Sequence, residues 1–565
     1  MTETGSPPST LDRVKRLLPV LIFFAALLIR LPGIGWGLKN DLHNQSYHPD
    51  EPTVLAYSQQ IEPGKLDFTP GFYNYGTLYL TLTRIASDMT AAYTGGVGEK
   101  DVNTTWAFDS RAHLAGRTIS ALAGAGTALV VFLMLRRRVG AFGALAGAGL
   151  IAVAPAHVVH SRFQTVDILA TFLLAVSSYF ALKLLDRAEE EPDLKDAVWA
   201  GVFAGLSAGT KYTGLLAILT LLTVLALVRR RHLVREGIAG VAAAFATFVV
   251  VTPGVLLETE QFIRDFKYEM AHTATGHGLV FTGTGSGFIY HLGNIAAGVG
   301  MILGALALAG LAFLAIQKRV WILALLAFFL PYYVLIGRAE IKFIRYTFPL
   351  YVGLAAGFGG FMAEMHRKRR WGMGFVALGL LGLGGADSRG LIGTAQATTW
   401  MSGEDPRDAA ARWLRANPVA NVGLVQDPWF WSVPTFPNAT IDRRYVVGPR
   451  RPAFIEEMRA TSRPPTDVVS DENGNVLPFD SRVVSELRPE TIVMTAFEFS
   501  PRERLVGRTD IAPEFQSEAT RYRDFMQALS KDYRLERRFG NQSNVVEDLQ
   551  YINPVVLVWK RTTPR

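Results

Sequence analysis

The sequence predicts a polytopic α-helical membrane protein with about 11 transmembrane helices, a large first external loop with interfacial helices, and a small C-terminal α/β external domain. Three observations carry that prediction. Of 565 residues, 49% are hydrophobic and 19% charged, with a mean hydropathy of +0.21. Apolar runs near the ~20 residues needed to cross hydrocarbon recur through the first two thirds, and basic clusters mark alternate turns. After about residue 387 the runs give way to polar sequence with short strand and helix patterns, which divides the chain into a membrane-embedded part (1–386) and an external part (387–565).

The net charge of +8 does not indicate nucleic acid as a partner, because the basic residues sit in short clusters beside apolar runs, as membrane topology requires. With Cys 0 there is no disulfide framework, thiol nucleophile or cysteine metal site. Arg13, Lys15 and Arg16 precede the first apolar run, Leu17 to Leu31, and no small-residue cleavage pattern follows it, so it reads as an uncleaved signal anchor. The positive-inside rule then puts the N-terminus in the cytoplasm and the C-terminal part outside the plasma or inner membrane.

Residues 38–109 form the first external loop, with amphipathic pieces at Pro52 to Ile61 and Tyr73 to Ile85 suited to the interface. Spans two and three (112–135 and 141–157) flank Arg136-Arg137-Arg138, and a fourth covers 166–185. The fifth and sixth (197–210 and 212–228) form a hairpin with Gly209-Thr210-Lys211-Tyr212 at its outer tip. A seventh (237–257) leads to a second external loop, 258–290, whose glycine-threonine run predicts mobility. An eighth span precedes Gln317-Lys318-Arg319, a ninth ends at Ile336, a tenth starts at Arg345-Tyr346, and a short eleventh covers 373–386. In the external part, helices are expected at 408–416 and 521–532, strands at 421–426, 491–495 and 555–559, and an exposed loop at 463–480.

Chemistry centres on Tyr47-His48-Pro49-Asp50-Glu51, just after the first span. Two carboxylates before Pro52 suit a helix N-terminus, and capping alone accounts for them. Their place at the hydrocarbon boundary beside His48 equally suits a general base for an acceptor hydroxyl. Asp167 opens the fourth span, again as a cap or a functional acid. Lys211, Arg162, Arg338, Lys342 and Arg345 lie on the outer side against the topological bias; each could snorkel singly, and together they suit a lipid phosphate. No nucleotide-cradling glycine loop is present. If a divalent ion binds, His48, Asp50, Glu51 and Asp167 are the sensible donors, whereas the i, i+3 pair His157 and His160 is a weak metal signal.

Taken in order and sidedness, HPDE, SRFQTVDILATF, GTKYTGLL and RYTFPLY resemble the C-type membrane glycosyltransferase superfamily over residues 10–365. Within it the chain is similar to the dolichyl-phosphate-mannose protein mannosyltransferase-like family, which includes the bacterial aminoarabinose transferases. The resemblance implies an inverting enzyme that moves a sugar from a polyprenyl-phosphate donor to an acceptor hydroxyl on protein, glycolipid or glycan at the external face. It implies Asp50 as base with Glu51 its neighbour, Asp167 as a catalytic-site aspartate that helps position acceptor or base, and Lys211 and Arg345 near the donor phosphate with Tyr346 beside them; Arg162 joins the candidate phosphate-binding set by its outer position. Metal dependence varies within the family. A polytopic lipid or sugar transporter, or a flippase, is the competing class; the acids gather at one membrane face and no inverted repeat is evident, both of which disfavour it.

Overall fold

A computed structural model describes residues 10–43, 45–94, 110–187, 194–419, 421–426, 431–434, 443–447, 466–469, 477–541 and 547–562. Helix α1 (Thr10–Arg30) holds the first apolar run, and α2 (Glu51–Gln60) and α3 (Leu78–Thr94) follow in the first loop. Helix α4 (Ser110–Val153) contains the second span and most of the third, broken at Gly140, whose φ of 77° a side chain would strain. Next come α5 (Pro155–His160), α6 (Val166–Lys183), α7 (Leu194–Ala208), α8 (Ile218–Val228), α9 (Leu233–Val251) and α10 (Gly254–Leu257). The helical part continues through α11 (Thr259–Thr275), α12 (Gly287–Val299), α13 (Met301–Ile316), α14 (Val320–Gly337), α15 (Phe348–Arg367), α16 (Arg369–Gly384) and α17 (Gly390–Ser402).

Two expectations change here. The segment after α10 is not loop throughout, because residues 259–275 form a helix with Ile263, Phe266, Tyr268 and Met270 exposed. The eighth span is broken: α12 and α13 meet at 118° around Gly300. Among the described residues, four helical stretches are long and apolar enough to cross a membrane, Ser110–Val153, Val166–Asp186, Arg230–Val251 and Val320–Gly337, and the bent pair makes a fifth if counted as one span. Helix α4 holds two of the expected spans in one helix, and α7, α8 and α16 have only 15, 11 and 16 residues, short of the ~20 a crossing needs.

Small residues let the long helices meet backbone to backbone. A methyl at Gly310 on α13 would strike the carbonyl of Gly357 on α15, and one at Gly143 on α4 would strike that of Gly359. Among the buried residues here, α15 is enclosed along nearly its whole length, which fixes the Ile344–Thr347 turn at its start.

The C-terminal part begins with α18 (Pro406–Ala416) and builds a six-stranded sheet from β1 (Asn421–Leu424), β2 (Arg443–Val447), β3 (Thr466–Val469), β4 (Thr491–Thr495), β5 (Tyr533–Phe539) and β6 (Val556–Arg561). The order is β3-β2-β1-β4-β6-β5; the first four strands run parallel and β6 pairs antiparallel with both β4 and β5. Strand alternation divides β4 between two cores: Val493 packs with Ala410 and Leu414 of α18, while Ile492 and Met494 pack with Phe525 and Leu529 of helix Pro513–Asp532. Strand β3 lies inside the stretch expected as an exposed loop, 463–480, the rest of which falls partly outside the described residues.

Several contacts bind this part to the rest of the chain, among them those at the start of α18 and at the segment around Leu549. At the start of α18, Asp408 accepts from the Tyr47 hydroxyl at 2.6 Å and from Asn40 at 2.7 Å, with His43 at 3.0 Å, while Arg407 lies 3.8 Å over the Tyr47 ring. Near the other end, Leu549, Tyr551 and Ile552 are buried in the same apolar core as the membrane helices rather than with the sheet.

Candidate functional site

Asp50 occupies the N-cap position of α2, yet its side chain makes no capping hydrogen bond. The carboxylate is therefore not spent on the helix. It is 31% exposed and lies 3.4 Å from Arg345 Nη2, longer than the 2.7–2.9 Å or so of a tight charge-assisted bond. His48, fully buried, orients this point: its Nδ1 accepts the Asp50 backbone N–H at 3.2 Å, and its ring packs 4.4 Å from Phe163 and 5.4 Å from Tyr551. Burial pushes the His48 ring down to about 4, so it stays neutral and able to accept near pH 7.

Glu51 points the other way. Arg117 donates to both of its oxygens, at 2.8 and 2.7 Å, Ser46 Oγ and the Gln164 backbone N–H donate as well, and the carboxylate is fully buried. Burial alone would raise this carboxyl, but the paired Arg117 guanidinium overcomes it and holds the group at about 2. The remaining Arg117 donors reach the carbonyls of Ile34 and Trp36, so the pair ties the chain after α1 to α4 and α2.

Beside Asp50, the Ile344–Thr347 turn presents Arg345 and Tyr346. Arg345 lies 4.1 Å over the Phe343 ring. Lys211 at the hairpin tip lies 4.3 Å over the Tyr346 ring and pairs with Asp167 at 2.7 Å. A small cavity reaches this pair, lined also by Ser207, Thr213, Tyr332 and Pro349. Asp50, Arg345, Tyr346, Lys211 and Asp167, scattered over 300 residues, thus form one connected polar mouth.

Arg162 does not join it. Its guanidinium donates to the carbonyls of Arg30 and Ile29 and to Thr398 Oγ1, and contacts Met401 Sδ, which staples the end of α1 to α17. Lys342, 3% exposed, reaches Glu340 at 3.2 Å and Thr284 at 3.4 Å. The expected metal set does not converge either. The Glu51 oxygens are taken by Arg117, Ser46 and Gln164, Asp167 is held by Lys211, and among the described residues no group of three His, Asp or Glu comes together to hold an ion.

One member of the mouth had no signal in the sequence. Asp548, from the short helix Glu547–Gln550, is fully buried and accepts the Arg345 backbone N–H at 3.3 Å, with Arg345 Nη1 at 3.7 Å and His160 Nε2 at 3.8 Å. Only the docking of the following apolar residues onto the membrane helices brings it there, and no local pattern announces that.

The family model described as dolichyl-phosphate-mannose-protein mannosyltransferase matches residues 107–256. The oligosaccharyltransferase AglB of Archaeoglobus fulgidus, in complex with an inhibitory peptide and a dolichol-phosphate, aligns over 86% of this chain and 70% of its own, at 14% identity and a TM-score of 0.51. A second AglB structure, with zinc and sulfate, aligns over 94% and 72%, again at 14% and 0.51. ArnT of Cupriavidus metallidurans bound to undecaprenyl phosphate aligns over 97% and 98%, at 15% identity and 0.49. No curated protein matches the sequence significantly. At 14% identity the likeness to the Archaeoglobus fulgidus oligosaccharyltransferase speaks for a shared fold. Over residues 107–256 the chain is similar to the dolichyl-phosphate-mannose-protein mannosyltransferases, and its fold is similar to that of the Archaeoglobus fulgidus oligosaccharyltransferase.

Proposed function

We propose that the chain transfers a sugar from a polyprenyl-phosphate donor to an acceptor hydroxyl at the non-cytoplasmic face, with inversion, and that Asp50 is the general base. The carrying observation is the difference between Asp50 and its surroundings: it is the acid in this cluster that is both accessible and loosely paired, at 3.4 Å from Arg345. As the acceptor oxygen attacks the anomeric carbon, Asp50 takes its proton, and the bond from that carbon to the donor phosphate oxygen breaks on the opposite side. Arg345 and Lys211 receive the departing phosphate, the first as a two-pronged donor and the second as a point charge, which stabilises the charge that develops there.

This reading requires the phosphate to compete for Arg345, which frees Asp50 for the acceptor. The loose 3.4 Å contact favours such an exchange over that of a tight bidentate pair. Asp167 holds Lys211 over the Tyr346 ring and acts as a positioning residue for it. Glu51 and Arg162 serve the same mouth from behind, by fixing the chain that carries Asp50 and the end of α1.

The arrangement of about eleven spans, with the N-terminus cytoplasmic and the C-terminal α/β part outside, belongs to the same proposal and rests on alternating basic turns. Reconstitution into vesicles with a panel of polyprenyl-phosphate sugars, followed by mass analysis of what becomes glycosylated, tests it. Sugar transfer from at least one such donor is the expected result; movement of lipid or sugar across the vesicle without transfer would contradict it.

A further inference from the structure

Asp548 reaches the mouth from the far end of the chain and cannot easily withdraw. Leu549, Tyr551 and Ile552, 7%, 6% and 2% exposed, hold its segment in the apolar core of the membrane helices. The groups that face it come from four other elements: Arg345 on the 344–347 turn, Asp50 at the start of α2, His160 on α5 and Asp167 on α6. Its Oδ2 accepts the Arg345 backbone N–H, whereas among the described residues its Oδ1 has no hydrogen-bond partner, nor does either ring nitrogen of His160. A fully buried carboxylate with one oxygen unsatisfied and two other carboxylates nearby is poorly stabilised as an anion. Its main compensation is the Arg345 guanidinium, the same group assigned above to the donor phosphate.

We propose that Asp548 is a positioning residue of the donor site, whose carboxylate competes with the donor phosphate for Arg345, so that the C-terminal segment sets how tightly the phosphate binds. This rests on the reading of Arg345 as a phosphate ligand. The competition is linked to protons. Burial raises the Asp548 carboxyl to about 6, against the pull of Arg345. Below that value the group is neutral and the phosphate competes for Arg345 with Asp50 alone; above it the carboxylate also holds Arg345 and repels the incoming anion. Affinity for the donor phosphate therefore falls as pH rises through this range, and phosphate binding takes up a proton at Asp548.

The test is binding of methyl undecaprenyl phosphate, a diester whose single charge does not titrate between pH 5 and 8, to the full-length protein in detergent. Wild type is expected to weaken about tenfold from pH 5 to pH 8, the scale of one lost charge-assisted contact. Asp548→Asn, nearly the same size, should bind about tenfold more tightly than wild type at pH 8 and lose most of that pH dependence. Asp548→Glu, which keeps the charge, should restore it. Thermal unfolding of each variant separates binding from folding. If Arg345→Ala weakens binding by about tenfold or more while Asp548→Asn binds as wild type or more weakly at every pH, this inference falls and the phosphate site stands. If Arg345→Ala binds as wild type, both fall.

Discussion

Glu51 meets Arg117 with both oxygens in a fully buried pair that Ser46 and Gln164 complete. Asp50, one residue earlier, is 31% exposed and touches Arg345 at 3.4 Å. Successive residues at a helix start point about 100° apart, so one carboxylate turns into the packed interior and its neighbour faces the mouth. The contrast teaches that a carboxylate pair in sequence need not be a pair in function. A buried ion pair with every donor engaged fixes geometry, whereas a loosely paired, accessible carboxylate is free to exchange partners and accept a proton.

The comparison breaks first at Asp50. Asp50→Asn should lower the transfer rate about 1,000-fold, the scale of a general base, with thermal stability unchanged, as read by turnover on reconstituted enzyme and by unfolding in detergent. Glu51→Gln should do the reverse. Leaving Arg117 buried without its counter-charge costs about 3 kcal/mol of stability, and activity per folded molecule should be largely kept. The sign with pH follows from the depressed carboxyl. Glu51 sits at about 2 when folded and near ~4.3 when unfolded, so its stabilisation is complete above about pH 5 and is lost as pH falls toward 2. Unfolding temperatures between pH 6 and 3 should show that decline in wild type and much less of it in Glu51→Gln.

Smaller effects sharpen the same contrast on the basic side. Arg345→Ala and Lys211→Ala should each weaken donor binding by about 10- to 100-fold, measured by titration with a polyprenyl-phosphate sugar. Arg162→Met should leave donor affinity within about twofold and instead lower the unfolding temperature, because its donors bind the carbonyls of Ile29 and Arg30 and the hydroxyl of Thr398. Donor affinity that falls tenfold in Arg162→Met would return that residue to the phosphate site.

Much of this arrangement was legible in the sequence, because apolar runs and basic turns report directly on helices in a membrane. The HPDE and GTKY stretches and the RY step announced Asp50, Lys211, Arg345 and Tyr346, and chain order gave the resemblance. What the pattern could not carry was partnership. Nothing local distinguishes Glu51, which meets an arginine 66 residues away, from Asp50 beside it. Arg162 looked like a misplaced external charge, and only the close approach of α1 and α17 shows its carbonyl partners. Charge also hid elements. Helix α11 carries enough polar residues to read as loop, and β5, YRLERRF, shows an exposed edge strand whose arginines mask its alternation. Asp548 depends on a contact across 203 residues, between the C-terminal part and the turn before α15.

The central claim is that the carboxylate at the mouth, rather than its buried neighbour, takes the acceptor proton. Single-turnover transfer at saturating donor, measured side by side for Asp50→Asn and Glu51→Gln and normalised to folded protein, tests it most directly. The account predicts bound donor and almost no transfer for Asp50→Asn, with transfer near the wild-type rate for Glu51→Gln. Wild-type transfer by Asp50→Asn would contradict it.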